Sequence, residues 1–191
     1  MIENLLRAVP PPRAPFEAFS GPWEPLEAEL GTPLPPDYKA FVRLYGSGYF
    51  MRFLGVTVPR SHNPNTRFEH RLRRTCEVFE AFDDEDRVFP LWPNPGGLLP
   101  FGGTDNGDEL FWLPQGTPED WKVVVWDRGM MRFEVLDCDL TDFLAGLATG
   151  AMSADAFPEL LPCEHMFQSG ARHLRYHMSW RTKGRRLTSV R

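Results

Sequence analysis

The sequence predicts an α+β fold: a central, mainly antiparallel sheet with helices packed against it. Three observations carry this. Residues 98–104 and 109–113 are apolar runs on either side of Asp105-Asn106-Gly107-Asp108, and Asn-Gly between such runs signals a hairpin because both positions tolerate positive φ. Residues 122–127, with Val123-Val124-Val125-Trp126 at their heart, and residues 131–136 flank Arg128-Gly129 as a second hairpin. Around these lie apolar stripes at helical spacing: Tyr38, Phe41, Val42 and Tyr45; Phe68, Leu72, Cys76 and Phe79; Phe143, Leu144 and Leu147.

In chain order, the first residues read as a short helical start. They lead into an extended, proline-rich segment over residues 1–21, where Pro10-Pro11-Pro12 and Pro15 favour polyproline geometry. The compact part is expected to begin near Trp23. Trp23, Leu26 and Leu30 recur at helical spacing, and Gly31 supplies a left-handed cap. Pro35 and Pro36 pre-set the next helix, which Gly46 and Gly48 end. Residues 49–58, aromatic and β-branched, read as one strand closed by Pro59, and residues 65–82 as an amphipathic helix running into an acidic stretch. After the hairpins, Asp139 is placed to cap a helix over 140–148 that Gly150 ends. The main domain is expected over 22–164, followed by a basic tail over 165–191.

The 191 residues, 42% hydrophobic and 13% aromatic, suit one folded domain and exclude a disordered class, while 19 prolines and 16 glycines predict many turns. No basic-then-apolar leader is visible, and no apolar run approaches the roughly 18 residues that span a bilayer. Three widely spaced cysteines do not form a disulfide framework. A cytoplasmic protein, with no membrane partner, is the expectation. The net charge of −5 conceals an asymmetry: residues 165–191 hold seven basic and no acidic residues, so the preceding body carries all 26 carboxylates. Such a body attracts basic protein surfaces and repels nucleic acid.

Three stretches together resemble the SUKH superfamily, which includes the yeast cell-wall assembly regulator and bacterial toxin-immunity proteins. The first is Leu26-Glu27-Ala28-Glu29-Leu30-Gly31 leading into Leu34-Pro35-Pro36-Asp37-Tyr38 and ending at Tyr45-Gly46-Ser47-Gly48. The second runs from Leu99-Pro100-Phe101-Gly102-Gly103-Thr104 through Asp105-Asn106-Gly107-Asp108 to Glu109-Leu110-Phe111-Trp112, and the third is 123–150, including Leu140-Thr141-Asp142-Phe143-Leu144. The similarity spans 23–150. The proline-rich lead-in, residues 66–85 and the tail depart from it, and nothing functional is carried over to them. The resemblance implies a SUKH-like α+β domain that works by binding another protein, as a toxin-immunity protein or as a regulatory module without a toxin.

The residues themselves offer little for catalysis: no Gly-x-Ser-x-Gly, phosphate loop, dinucleotide fingerprint or His-Glu-x-x-His occurs. The sharpest metal candidate is Cys163 and His165 with His173 and His177, but the spacing is not that of a standard zinc finger. A tail that merely contains histidines among arginines explains it as well. No cofactor is expected. The tail admits nucleic-acid binding, against which stands docking onto the acidic body. Cys76 and Cys138 read as small core fillers, His62 and His70 as surface residues, and Trp23, Trp121 and Trp126 as core.

The expected partner is a protein, a cognate toxin with a basic surface such as a nuclease. Candidate contact residues are Asp83, Asp84, Glu85 and Asp86, which end a helix at a loop, and Asp105, Asp108 and Glu109 at the hairpin tip. Trp92, in the loop Phe89-Pro90-Leu91-Trp92-Pro93, is either an interface anchor or a lid on the core, and Trp112 marks the sheet face expected to be exposed.

Overall fold

In the computed structural model, which describes residues 2–81, 88–158 and 166–170, the order of elements is α1 (Ile2–Ala8), α2 (Glu24–Leu30), α3 (Pro36–Leu44), β1 (Gly48–Phe50), β2 (Leu54–Val56), α4 (Phe68–Glu80), β3 (Leu99–Thr104), β4 (Glu109–Leu113), β5 (Lys122–Asp127), β6 (Arg132–Leu136), α5 (Leu140–Thr149) and β7 (Phe167–Ser169). The strands form one antiparallel sheet in the order β6-β5-β4-β3-β2-β1-β7. The expected α+β class with a central antiparallel sheet is what the chain adopts.

The sheet is covered on both faces. Alternation along a strand sends Phe111 one way and Trp112 the other. On the first face α4 lays Phe79 edge-on against Phe111 and Trp126, with ring centroids 5.4 and 4.8 Å apart. On the second, Tyr38 of α3 meets Trp112 edge-on at 4.9 Å, Phe101 lies 4.5 Å from it, and α5 packs over β5. The near-continuous burial of β3, β4 and β5 follows from this sandwiching, since each residue meets a helix whichever way it points.

Several expectations change. Residues 49–58 are not one strand: Met51 and Arg52 adopt positive φ (51° and 56°), the Phe53 N–H bonds Phe50 O at 2.9 Å, and the run folds back as the β1–β2 hairpin. Strand propensity is equally high on both arms, so composition alone did not reveal the turn. The core does not begin at Trp23. Leu5 and Val9 are buried as α1 packs on α5, and the Tyr45 hydroxyl donates to Val9 O at 2.5 Å. The strand β7, beside β1, was not anticipated, and the basic tail beyond residue 170 lies outside the described residues. By contrast, Asp139 caps α5 by accepting the Asp142 N–H, and Gly150 closes it at φ +73°.

One carboxylate fastens two helices. Asp37, in the first turn of α3, accepts the Tyr38 N–H at 2.7 Å and the Thr141 N–H at 3.0 Å, so the start of α5 is tied to the start of α3. Burial, and then the neighbouring Asp139, push its pKa from 3.8 to about 6. A carboxyl raised on folding contributes stability that is complete below its unfolded pKa and is lost as pH rises through the folded one. Wild type is therefore expected to lose roughly 2.5 kcal/mol more than Asp37→Ala between pH 4 and pH 7, at 1.36 kcal/mol per pKa unit. Denaturant unfolding at the two pH values checks this, and identical pH dependence in both proteins would show that Asp37 titrates normally.

Candidate functional site

A concavity of about 700 Å³ opens between α4 and the turns that join β3 to β4 and β5 to β6. Its geometry starts from two glycines in one hairpin. At Gly103 a Cβ would run into the Arg71 guanidinium and the Asp108 carbonyl. The missing side chain lets Arg71 lie flat against β3. At Gly107, whose φ of +90° suits the turn, a Cβ would come within 3.0 Å of the Arg128 Cδ, so Arg128 rests on bare backbone there.

Arg71 is held by Glu109: its Nε and Nη2 donate to Oε2 at 3.1 and 2.7 Å, and Thr75 Oγ1 lies 3.4 Å from the same oxygen. Burial pushes the Glu109 carboxyl above the usual range, while Arg71 and the Thr75 hydroxyl pull the other way. The hairpin tip is self-contained. Asp108 accepts the Thr104 hydroxyl at 2.6 Å and the Arg128 N–H at 3.2 Å, and Asp127 Oδ1 accepts the N–H groups of Gly129 and Met130 at 2.8 and 3.0 Å. The two turns are thereby locked to one another, and they present Asp105 and Asn106 from one and Arg128, Met130 and Met131 from the other to solvent.

The expected contact residues fare differently. Asp105 is exposed at the tip. Asp108 is buried and Glu109 largely so, both engaged in holding the hairpins, so they organise this surface rather than offer free charge. Trp112 is 1% exposed, enclosed by Tyr38, Phe101, Trp121 and Phe68. The expectation of an open sheet face around it is thus corrected: α3 covers that face. Trp92 is half-buried against the core and its indole N–H donates to Leu30 O at 3.0 Å, so it braces its loop against the end of α2. Asp83, Asp84, Glu85 and Asp86 lie outside the described residues, as do Cys163, His165, His173 and His177.

Sequence reasoning missed the positive charge of the cleft. His70, Arg71 and Arg74 on α4 converge there with Arg128, and Glu109 is the carboxylate among its lining residues. The spacing of Arg67, His70, Arg71 and Arg74 was the available signal, because residues three and four apart share a helix face. Arg74 and Arg128 are exposed. Beside them stand apolar side chains also open to solvent, Val78 at 49% and Met131 at 54%. Among the described residues no group of three or more His, Cys, Asp and Glu is placed to hold a metal ion, and no helix is long and apolar enough to cross a membrane.

A family model, SUKH_6, described as SMI1-KNR4 cell-wall, covers residues 22–144, which includes α2 to the first half of α5 and every residue of the cleft. No curated protein and no solved structure matches.

Proposed function

The chain belongs to the SUKH_6 family of SMI1-KNR4 proteins, and from that premise we propose that it is a non-catalytic binding protein, a cytoplasmic immunity protein that neutralises a cognate bacterial toxin by occupying it. The observation that carries a binding role is the cleft itself. Its carboxylate, Glu109, is consumed by Arg71 and Thr75, whereas Arg74, Arg128, Val78 and Met131 stand outward on a rigid frame. A catalytic acid must be free to exchange a proton with substrate, and a binding surface needs only to be pre-organised. The acidic excess of the body supports a partner with basic surface elsewhere, because net charge steers encounter over longer distances than the contacts that fix register.

The test is protection. Cells producing a toxin whose gene neighbours that of this protein are expected to survive when it is co-expressed, and the two proteins to co-purify as a stable complex. Death of cells that contain folded protein overturns the immunity role. The family description also favours a regulatory module without a toxin. That reading expects a growth or envelope defect on deletion of the gene in cells that make no toxin.

A further inference from the structure

We propose that the cleft between α4 and the two turns receives an acidic segment of the partner protein, with a carboxylate between Arg74 and Arg128 and an apolar neighbour against Val78 and Met131. This rests on the binding role above and names the chemistry of what is bound.

The argument is one of local charge against global charge. The protein carries an excess of acid, with 26 Asp and Glu against 21 Lys and Arg, yet this cleft is lined by Arg71, Arg74, Arg128 and His70, with Glu109 the carboxylate opposing them among the described residues. The two N–H bonds from Arg71 to Glu109 Oε2 offset the charge of that carboxylate, which leaves Arg74 and Arg128 as the exposed arginines a visitor meets. Arg128 is already seated: its side chain lies over Gly107, and its Nη1 reaches Asn106 O at 3.5 Å. A guanidinium placed in advance loses less freedom when a carboxylate arrives, and its planar fork suits that group better than a lysine would.

The apolar half is as specific. Val78 projects from α4 and Met131 from the opposite turn, so the walls carry an aliphatic side chain on each side. Met131 adopts φ of +53°, a region that a long side chain seldom occupies, and the turn before it is fixed by Asp127. An unbranched, polarisable methionine fits varied apolar shapes. A polyanionic nucleic acid would use the arginines but not these walls. A wholly apolar segment would leave the arginines without partners, at a desolvation cost.

The experiment selects peptides from a random display library on the full-length protein and, separately, on the Arg74→Glu/Arg128→Glu double variant. Both substituted positions are exposed, and an unchanged thermal midpoint confirms that the variant folds. The wild-type pool is expected to be enriched in sequences pairing Asp or Glu with Leu, Ile or Phe. A synthetic representative should bind by fluorescence anisotropy, weaken by at least about tenfold on the double variant, and weaken with added salt, as facing charges dictate. Val78→Ser/Met131→Ser should weaken it by about threefold or more. A pool without acidic enrichment, equal binding to the double variant, or a single-stranded oligonucleotide that binds the arginines while acidic peptides do not, overturns the proposal. Failure here and failure of the immunity role are distinguishable. Protection retained by the double variant removes the cleft as the partner site and leaves the role intact, whereas arginine-dependent peptide binding without protection supports the cleft and removes the toxin.

Discussion

Replacing Trp112 by alanine is expected to cost about 5 kcal/mol, enough to leave the protein largely unfolded at physiological temperature. The ring is 1% exposed and sits among Tyr38, Phe68, Phe101 and Trp121. Truncating a buried Trp to Ala costs about 3–5 kcal/mol through lost burial and the cavity left behind, and edge-to-face pairs add about 0.5–1.5 kcal/mol each. Trp112→Phe should lose far less, about 1 kcal/mol. The indole Nε1 has no hydrogen-bond partner among the described residues, so phenylalanine removes an unsatisfied buried donor, worth about 1–3 kcal/mol, while giving up part of the ring area. Denaturant titration followed by circular dichroism ranks the three proteins. If Trp112→Ala falls within about 1 kcal/mol of wild type, the ring is not central to the core.

Arg71→Ala is expected to destabilise the fold by about 3 kcal/mol at neutral pH. The Arg71 and Glu109 side chains are 25% and 19% exposed, and breaking such a pair leaves a carboxylate desolvated with no counter-charge. The effect carries a pH signature. Glu109 already sits above its ordinary pKa through burial, and without Arg71 it rises further. Stability contributed by a raised carboxyl is present below its unfolded pKa and lost as pH rises through the folded value. The deficit of Arg71→Ala should therefore shrink as pH is lowered from 7 towards 4, because the orphaned carboxyl takes up a proton. Urea unfolding of variant and wild type across that range checks it. A deficit independent of pH would assign the loss to packing of the guanidinium against Gly103.

How much of this was legible beforehand differs between fold and site. Both central hairpins followed from turn chemistry at Asn106-Gly107 and Arg128-Gly129, and their strands occupy 99–104, 109–113, 122–127 and 132–136. These signals are local, and local signals survive in a linear string. The β1–β2 turn was missed because Met51 and Arg52 are not turn residues by type; tertiary pairing forces them into positive φ. The site was harder. Charge counted along the chain finds runs such as Asp83 to Asp86, but Arg74 and Arg128 are far apart in sequence and become neighbours only when α4 lies across the hairpins. Trp112 alternates with Phe111 like any half-exposed strand residue, and only the arrival of α3 decides that its face is covered.

The sheet order also bears on how the chain reaches its native state. From β1 to β6 each strand pairs with its neighbour in sequence, and all of these pairs except β2–β3, whose connection carries α4, close short loops, which is the arrangement that folds fast. Two closures are different in kind. The α1–α5 contact, with Asn4 bonded to Asp142 across 138 positions, and the β1–β7 pairing both join segments far apart in sequence. Loop entropy grows only logarithmically, about 0.6 kcal/mol per doubling of length, so these closures cost little more in free energy than local ones but come late in time. The first helix therefore acts as a latch set after the meander has formed. During synthesis α1 emerges well before α5 and has to wait for it before Leu5 finds its place in the core.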